Sequence, residues 1–391
     1  FADDTIKVAN VKGVARIVVA GVTVEAATHQ VLVYFKKGVS GEQIDKIVGH
    51  LQGAGGRTVG QVPSTRMLQF ELPTNAVVET VLQDLESMEG VFLSAPNMVL
   101  SLNLDPSPDP RDFSIGGYWI DEIRAPEAWD ITTGSSSVTV GVVDSGINLS
   151  ANHFDRSRVT ILNIFGGVLE DEENHGTGVT SLVAASGTDD VCSTGMAWQN
   201  PIVIADVFEA GIIDSLFALN VECGIIKSID AAARIINVSI GPLLPDGEAG
   251  TNENYLNNQR LFRHSMTPAM RYAAEHDSLI IWSAGNVGDG QDKYHKLGEP
   301  DHMPGTTVKN DDTLLPSDIA ELAEKEAYWK TNAMIVAATD FNSELTSFTI
   351  EGKVIDIAAP GSLVYMASAQ GIAECREDIG TSFSAPIVRG I

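Results

Sequence analysis

The amino-acid sequence predicts an α/β protein with a mostly parallel sheet between layers of helices, preceded by a small α+β domain. Three observations predict this architecture. After residue 112, apolar strand-like runs alternate with helical stretches, which is typical of a parallel sheet. Residues 30–101 follow a β-α-β-β-α-β order, the pattern of a ferredoxin-like unit. Between the two parts, prolines at positions 106, 108 and 110 exclude both helix and central strand.

The small domain carries clear start signals for its elements. Ser40 is followed three positions later by Gln43, a capping box that predicts a helix starting there. The other predicted elements are strands at 31–35, 57–62, 67–72 and from Val91, and a second helix capped by Thr74. We therefore expect three segments: an N-terminal extension at 1–29, the small domain at 30–103 and the main domain at 104–391.

The main domain is predicted from buried strands and the helices between them. The predicted strands are 138–143, 201–207, 234–240, 278–283, 334–338 and 354–357, with one helix at 267–275 and another around 216–226. In open α/β sheets, ligands bind at the carboxyl ends of the strands. Polar motifs follow several of these strands, so we expect the functional site at that edge.

Charge and composition restrict the possible partners. The formal net charge is −27, with 10 acidic and 8 basic residues in segment 1–103 and 42 acidic and 17 basic residues in the remainder. So acidic a surface repels nucleic acid and anionic lipid, and we expect neither nucleic acid nor a membrane as a partner. No apolar run reaches the roughly 20 residues that span a bilayer.

The cysteines and acidic residues give little indication of a metal site. Cys192, Cys223 and Cys375 are an odd number, so we expect small core residues or one disulfide with a spare thiol. None lies in a CxxC pair, so the sequence predicts no zinc site. Carboxylates and histidines in the acidic insertion 287–332 suit a solvated loop, or alternatively calcium or zinc ligands.

Four motifs contain the residue types that nucleophilic catalysis requires. Asp144 lies in VDSG, His175 in NHGTGV, Asn286 in SAGN and Ser382 in GTSFSAP. Serine needs a base to accept its proton, a carboxylate to orient that base, and donors for the oxyanion. Taken singly, each residue also suits a turn, a loop or a helix cap. Their order, Asp, His, Ser, is that of subtilisin.

With these motifs and the segment Tyr118–Trp129, the chain from Tyr118 onward resembles the subtilisin-like serine proteases. The resemblance implies a subtilisin-like three-layer domain, catalytic Asp144, His175 and Ser382, and Asn286 as an oxyanion donor. It implies no cofactor for the chemistry, although structural calcium is compatible with the acidic composition. It further implies that substrate is bound by Ser239, Ile240, Gly241, Ala284 and Gly285. Because these walls are small and apolar, we expect an uncharged residue before the cleaved bond.

Residues 30–101 resemble the family's inhibitory propeptide. The extended segment 99–103 is then expected to lie along Ser239–Gly241 as a cleavage product would, with processing in or near 101–112. We therefore expect a secreted serine endopeptidase that is made as an inhibited zymogen. Its partners would be a protein or peptide substrate and its own propeptide. A transpeptidase or macrocyclase with the same triad, and a silent pseudoprotease that acts as a binding protein, remain alternatives.

The sequence departs from the family in three places. A polar stretch of about 25 residues follows Gly241, and the acidic insertion 287–332 follows Asn286. The chain also stops soon after Ser382, whereas the family's domain continues, so we expect the C-terminal part of the domain to be missing. A leader before Phe1 is expected to be missing as well.

Overall fold

The computed structural model describes most of the chain. The described residues are 4–19, 22–102, 117–150, 153–164, 171, 173–186, 192, 194–208, 216–242, 252–286, 296–297, 327–352, 355–371 and 374–389. The predicted linker at 106–110 and most of the acidic insertion 287–332 lie outside them. No helix among these residues is long and apolar enough to cross a membrane.

Helices and strands alternate through both halves of the chain. The helices are α1 (Gly41–Gly53), α2 (Val78–Glu86), α3 (Tyr118–Glu122), α4 (Ala125–Trp129), α5 (Gly176–Ala184), α6 (Ala218–Asp230), α7 (Asn252–Glu275) and α8 (Thr381–Arg389). The strands of the first half are β1 (Val14–Val19), β2 (Val22–Phe35), β3 (Arg57–Val62), β4 (Met67–Glu71) and β5 (Val91–Leu102).

The strands of the second half are shorter. They are β6 (Thr139–Asp144), β7 (Val159–Asn163), β8 (Ile202–Asp206), β9 (Leu216–Phe217), β10 (Ala233–Val238), β11 (Ile240–Pro242), β12 (Leu279–Ser283), β13 (Lys296–Leu297), β14 (Ala333–Thr339), β15 (Glu351–Gly352), β16 (Ile357–Pro360), β17 (Val364–Ala367) and β18 (Cys375–Asp378).

The small domain contains an antiparallel sheet. Its strand order is β5-β2-β4-β3, with β1 paired to β2. The capping box at α1 is confirmed, since the Ser40 hydroxyl accepts the Gln43 N–H at 3.2 Å and the Gln43 side chain accepts the Ser40 N–H at 3.2 Å. The sheet closes over a core that includes Phe35, Leu51 and Phe70.

Two predictions for this domain were wrong. Strand β2 begins at Val22 rather than Val31, so the expected boundary at residue 30 falls inside a strand. The alternation of buried and half-buried residues from Val22 to Ala26 is the period of a half-exposed strand, which a search for apolar runs misses. Thr74 does not cap α2, because it lies in a turn where the Ala76 N–H donates to the Pro73 carbonyl at 2.9 Å.

The main domain is built on a seven-stranded parallel sheet of order β16-β14-β12-β10-β6-β8-β7. Val140 and Val142 of β6 pack in one core with residues of α5 and α8. Val143 faces the opposite core, with residues of α6 and α7. The sheet therefore lies between two helical layers, as predicted for an α/β domain.

Three details of the main domain differ from the predictions. Helix α7 begins at Asn252 rather than at residue 267, because Pro268 lies inside the helix and not at its start. The polar stretch after Gly241 is therefore partly helical. Leu216 and Phe217 form strand β9 instead of the start of a helix. The strand expected at 354–357 is instead Ile357–Pro360, at the edge of the sheet, where proline is tolerated.

The sheet of the small domain extends into the main domain through one strand. Strand β5 of the small domain pairs on one side with β2 and, further along, with β9 and β11 of the main domain. Residues of both domains share one hydrophobic core. This arrangement places the end of β5 at the polar edge of the main sheet.

Candidate active site

Asp144 and His175 form a buried pair at the carboxyl end of the parallel sheet. Asp144 ends β6, and His175 immediately precedes α5. His175 Nδ1 lies 2.7 Å from Asp144 Oδ1, and both side chains are fully buried. A neutral imidazole that donates from Nδ1 carries its lone pair on Nε2. His175 Nε2 has no hydrogen-bond partner among the described residues.

Two glycines allow the loops that carry this pair to touch. A Cβ atom on Gly176 would lie 2.3 Å from the carbonyl oxygen of Gly146. Gly146 has φ of +100°, a conformation that favours glycine. The motifs VDSG and NHGTGV therefore need glycine beside Asp144 and His175 so that the two loops can approach.

Asp171 also connects these two loops through hydrogen bonds. Its Oδ1 accepts the Ser145 hydroxyl at 2.7 Å, and its Oδ2 accepts the Thr177 N–H at 2.7 Å. Burial raises the pKa of this carboxyl above its usual value, and the hydrogen bonds from Thr177 and Ser145 oppose the shift. Sequence reasoning missed Asp171, because it lies outside the short motifs.

Ser382 lies in the first turn of α8, next to strand β10. Its hydroxyl donates to the Ser239 carbonyl at 3.2 Å, and the Ser239 hydroxyl donates to the Ser382 carbonyl at 2.9 Å. Both residues are fully buried. The ring of the next residue, Phe383, lies 5.6 Å from that of His175, centroid to centroid. The structure thus brings the start of α8 to the Asp144–His175 pair.

Asn286 is held by the residue before Ser382. Its Oδ1 accepts both the N–H and the hydroxyl of Thr381 at 2.9 Å. Thr381 Oγ1 in turn accepts the Gly285 N–H at 3.0 Å. Because Oδ1 accepts these bonds, Nδ2 is the atom with which Asn286 can donate to a ligand. The threonine of the GTS motif is thus a positioning residue that sequence reasoning missed.

The predicted substrate residues line the same edge. Ile240 and Gly241 lie in β11, while Ala284 and Gly285 follow β12 and are buried. Strand β9 borders β5 on the side away from β11. It was not predicted, since a strand of two residues is too short to show a sequence pattern. Together β9 and β11 form a slot of one strand's width, which β5 fills.

One disulfide joins two segments near this edge. Cys192, which follows α5, is bonded to Cys375 at the start of β18, with their Cα atoms 5.6 Å apart. Cys223 is a buried free thiol. Of the expected alternatives, one bridge with a spare thiol is therefore observed. The disulfide therefore connects the segment after helix α5, which begins next to His175, to strand β18. Strand β18 immediately precedes helix α8, which carries Ser382.

The described residues contain no group of three or more His, Cys, Asp or Glu side chains that could hold a metal ion. The carboxylates and histidines of the acidic insertion lie outside the described residues.

Comparisons with known proteins identify the family to which the chain belongs. Residues 135–391 match the subtilase family model, and the chain belongs to this family. The protein is a subtilisin-like serine endopeptidase, a hydrolase whose substrate is a protein or peptide.

Two relatives show how much of the chain the likeness covers. Thermitase of Thermoactinomyces vulgaris is 27% identical over 296 residues, which is 73% of this chain and 84% of thermitase. The thermophilic serine proteinase of Bacillus sp. strain AK1 is 24% identical over 365 residues, 93% of this chain and 76% of the relative.

Two solved structures share the fold. The epidermin leader peptide processing serine protease of Staphylococcus aureus has a TM-score of 0.61 at 17% identity, covering 92% of this chain and 86% of that one. Fervidolysin from Fervidobacterium pennivorans has a TM-score of 0.60 at 18% identity, covering 98% of this chain and 58% of that one.

Proposed function

We propose that Asp144, His175 and Ser382 form a catalytic triad that hydrolyses peptide bonds through an acyl-enzyme. The Ser382 hydroxyl attacks the scissile carbonyl while His175 Nε2 accepts its proton. His175 then returns that proton to the leaving amine, and water hydrolyses the acyl-enzyme by the same steps. Asp144 holds the imidazole in its Nδ1–H tautomer and stabilises the imidazolium.

The observation that carries this proposal is the buried 2.7 Å contact between Asp144 and His175. A carboxylate and an imidazole taken out of water cost free energy unless they are paired and oriented. A fluorophosphonate probe tests the proposal without knowledge of the substrate. We expect mass spectrometry to map the covalent label to Ser382, and a label on any other residue would contradict the triad.

We further propose that Asn286 Nδ2 and the Ser382 N–H bind the oxyanion. The start of α8 supplies a positive dipole end, which favours negative charge that develops beside it. Thr381 supports this role because its two hydrogen bonds fix the Asn286 amide.

Asn286→Ala should lower kcat by about 10²–10³ with little change in KM, because the lost donor acts on charge that develops only in the transition state. The magnitude is that of the same change in subtilisin. Steady-state kinetics on a peptide substrate measure it. Thr381→Val should give a smaller kcat loss, whereas the control Thr381→Ser should retain activity. A raised KM with normal kcat in Asn286→Ala would instead make Asn286 a ground-state binding residue.

We also propose that the small domain inhibits the enzyme until it is cleaved off. The proposal is supported by the position of β5, which adds a strand between β9 and β11 as a bound peptide would. Occupied in this way, the slot has no room for a second peptide strand. The antiparallel pairing of residues 100–102 with Ile240–Pro242 is the contact on which this proposal depends.

We propose that the enzyme acts outside the cell and needs no cofactor for its chemistry. The Cys192–Cys375 disulfide supports an oxidising compartment. Recovery of the disulfide-linked peptide pair from protein isolated in its native location would test the compartment. Activity that survives exhaustive chelation would support cofactor-free chemistry, while a lower melting temperature under chelation would reveal structural calcium.

A further inference from the structure

The segment before β1 is bound along the edge of the small-domain sheet. The Lys7 N–H donates to the Gln61 carbonyl of β3 at 2.9 Å, and the Gln61 N–H donates to the Lys7 carbonyl at 2.6 Å. Gly60 allows this approach, because a Cβ atom there would lie 2.7 Å from the Lys7 carbonyl oxygen and 3.2 Å from Val8 Cα. We call residues 5–11 the N-terminal strap.

Buried glutamine side chains also hold the strap. The Gln69 amide binds both backbone groups of Ala9, since its Oε1 accepts the Ala9 N–H at 2.9 Å and its Nε2 donates to the Ala9 carbonyl at 3.3 Å. Gln30 Nε2 donates to the Asn10 carbonyl at 3.5 Å. Both glutamine side chains are buried. The small domain therefore has a binding site for an extended peptide segment, and the strap occupies it.

The same glutamines are connected to the main domain. Gln30 Oε1 accepts Gln69 Nε2 at 3.0 Å and Asn97 Nδ2 at 3.2 Å. Asn97 Oδ1 in turn accepts the Leu219 N–H at 3.2 Å, in the first turn of α6. The first N–H groups of a helix have no partner within the helix, so Asn97 of β5 caps a helix of the main domain. A chain of side-chain amides thus runs from the strap to α6, and each amide orients the next.

Apolar side chains of the strap lie at the border between the two domains. Ile6 and Val8 pack against the cluster that joins the small-domain sheet to α6. Val11 packs against the cluster that contains Phe217 of β9. Residues 6–8 of the strap and residues 161–164 of the main domain line one cavity of about 610 Å³. The strap therefore lies beside the main domain along much of its length.

From these contacts we infer that the N-terminal strap is a second attachment of the small domain, which strengthens docking on the main domain through the amide chain Gln69–Gln30–Asn97. This inference rests on the proposed inhibition by the small domain and adds a means of regulating it. Loss of the strap weakens the hold of β5 between β9 and β11, although neither β5 nor the linker is cut.

The first test removes the strap after folding. A recognition sequence for a site-specific peptidase is inserted after the exposed residue Lys12 in the full Ser382→Ala chain. Once mass spectrometry shows that peptide 1–12 has left, hydrogen exchange of the β9 and β11 amides should be about tenfold faster or more, because the docked state has lost several hydrogen bonds and apolar contacts. Synthetic peptide 1–12 should restore slow exchange. The amides of β6 and β8 serve as the internal control.

The outcomes of this experiment separate the strap from the proposed function. Exchange in β9 and β11 that stays the same when peptide 1–12 leaves would overturn the strap and leave inhibition by the small domain standing. Fast exchange in β9 and β11 while the strap is still in place would show that β5 does not occupy the slot. That result would overturn both proposals.

Two substitutions test the contacts without a cut. Gly60→Ala places a methyl group where residues 7 and 8 lie and crowds Gln69, so exchange in β9 and β11 should speed up as it does when the strap is removed. The control is Gly49→Ala on α1, where a Cβ atom meets nothing within 4 Å, and it should change nothing. Equal exchange in the two variants would contradict the inference.

Asn97→Ala breaks the amide chain between the strap and α6. If the strap acts through this chain, removing peptide 1–12 should accelerate exchange in β9 and β11 less in the Asn97→Ala chain than in the chain that keeps Asn97. Fully additive effects would show that the strap stabilises the small domain independently of its contact with α6, and they would overturn the inference.

Discussion

Replacing Ser382 by alanine should lower kcat for peptide hydrolysis by about 10⁶ and abolish labelling by a fluorophosphonate, while the fold is retained. The magnitude is that of removing the nucleophile from subtilisin, where a residual rate enhancement survives from the oxyanion hole and substrate binding. The fold should be retained because the change removes only one oxygen, whose hydrogen bond goes to the Ser239 carbonyl. Circular dichroism and the melting temperature check this last point.

Ser384 offers a matched control on the same helix. It is fully buried, as Ser382 is, and its hydroxyl has no hydrogen-bond partner among the described residues. Ser384→Ala should therefore leave kcat and labelling unchanged. Full labelling in Ser382→Ala, or loss of labelling in Ser384→Ala, would place the nucleophile elsewhere.

The sequence predicted those parts of the fold that depend on local signals. The capping box at Ser40 and strand β3 at Arg57–Val62 lie where they were predicted, because each depends on neighbouring residues alone. Strand β9 could not be predicted, since Leu216 and Phe217 are extended only because β5 pairs with them. The start of α7 was missed because Pro268 has the sequence signature of a helix start but lies in the helix interior.

The candidate site, too, was predictable only where it depends on local sequence signals. Asp144, His175, Asn286 and Ser382 could be proposed because each lies in a short motif whose order along the chain is informative. The residues that hold them in place, such as Asp171 and Thr381, act through contacts between distant segments. No spacing rule connects Asp171 to Ser145 or Thr381 to Asn286, so only the three-dimensional structure reveals those contacts.

The interface between the small and main domains contains a buried carboxyl group. Tyr34 of the small domain donates to Glu222 of α6 at 2.5 Å, and Glu222 is fully buried. Arg271 of α7 donates to the Thr65 carbonyl at 2.9 Å and stacks over Phe92 of the small domain. Glu222 therefore lies where the departure of the small domain would admit water.

Burial raises the pKa of Glu222 from 4.5 to about 7, although the hydrogen bonds from Tyr34 and Thr65 and the charge of Arg271 oppose the shift. Once the small domain leaves, water can reach this carboxyl group, and its pKa should return towards its usual value. The docked state then binds a proton that the separated state releases. Docking is strongest below about pH 4.5 and weakens as the pH rises to about 7.

The small domain, released by cleavage or added as residues 1–103, should therefore inhibit the main domain, and more strongly at pH 5 than at pH 7.5. Segment 1–29 is included because β1 and the start of β2 belong to the sheet. We expect the dissociation constant for the Ser382→Ala main domain to rise about tenfold or more over this range, because one unit of pKa shift corresponds to a factor of ten. Binding is measured with the inactive domain so that the pH dependence of catalysis does not enter.

Glu222→Gln provides the control, since it keeps the shape and cannot ionise. Its dissociation constant should vary much less with pH, and Tyr34→Phe should weaken docking at every pH by removing the hydroxyl that contacts Glu222. His264, which lies 3.9 Å from Glu86 across the same interface, is a second titratable group, so His264→Gln is measured in parallel. If the pH dependence survives in Glu222→Gln and disappears in His264→Gln, the histidine and not Glu222 controls docking. If the small domain never inhibits the main domain and remains attached to active enzyme, it is a permanent accessory domain and the inhibited precursor does not exist.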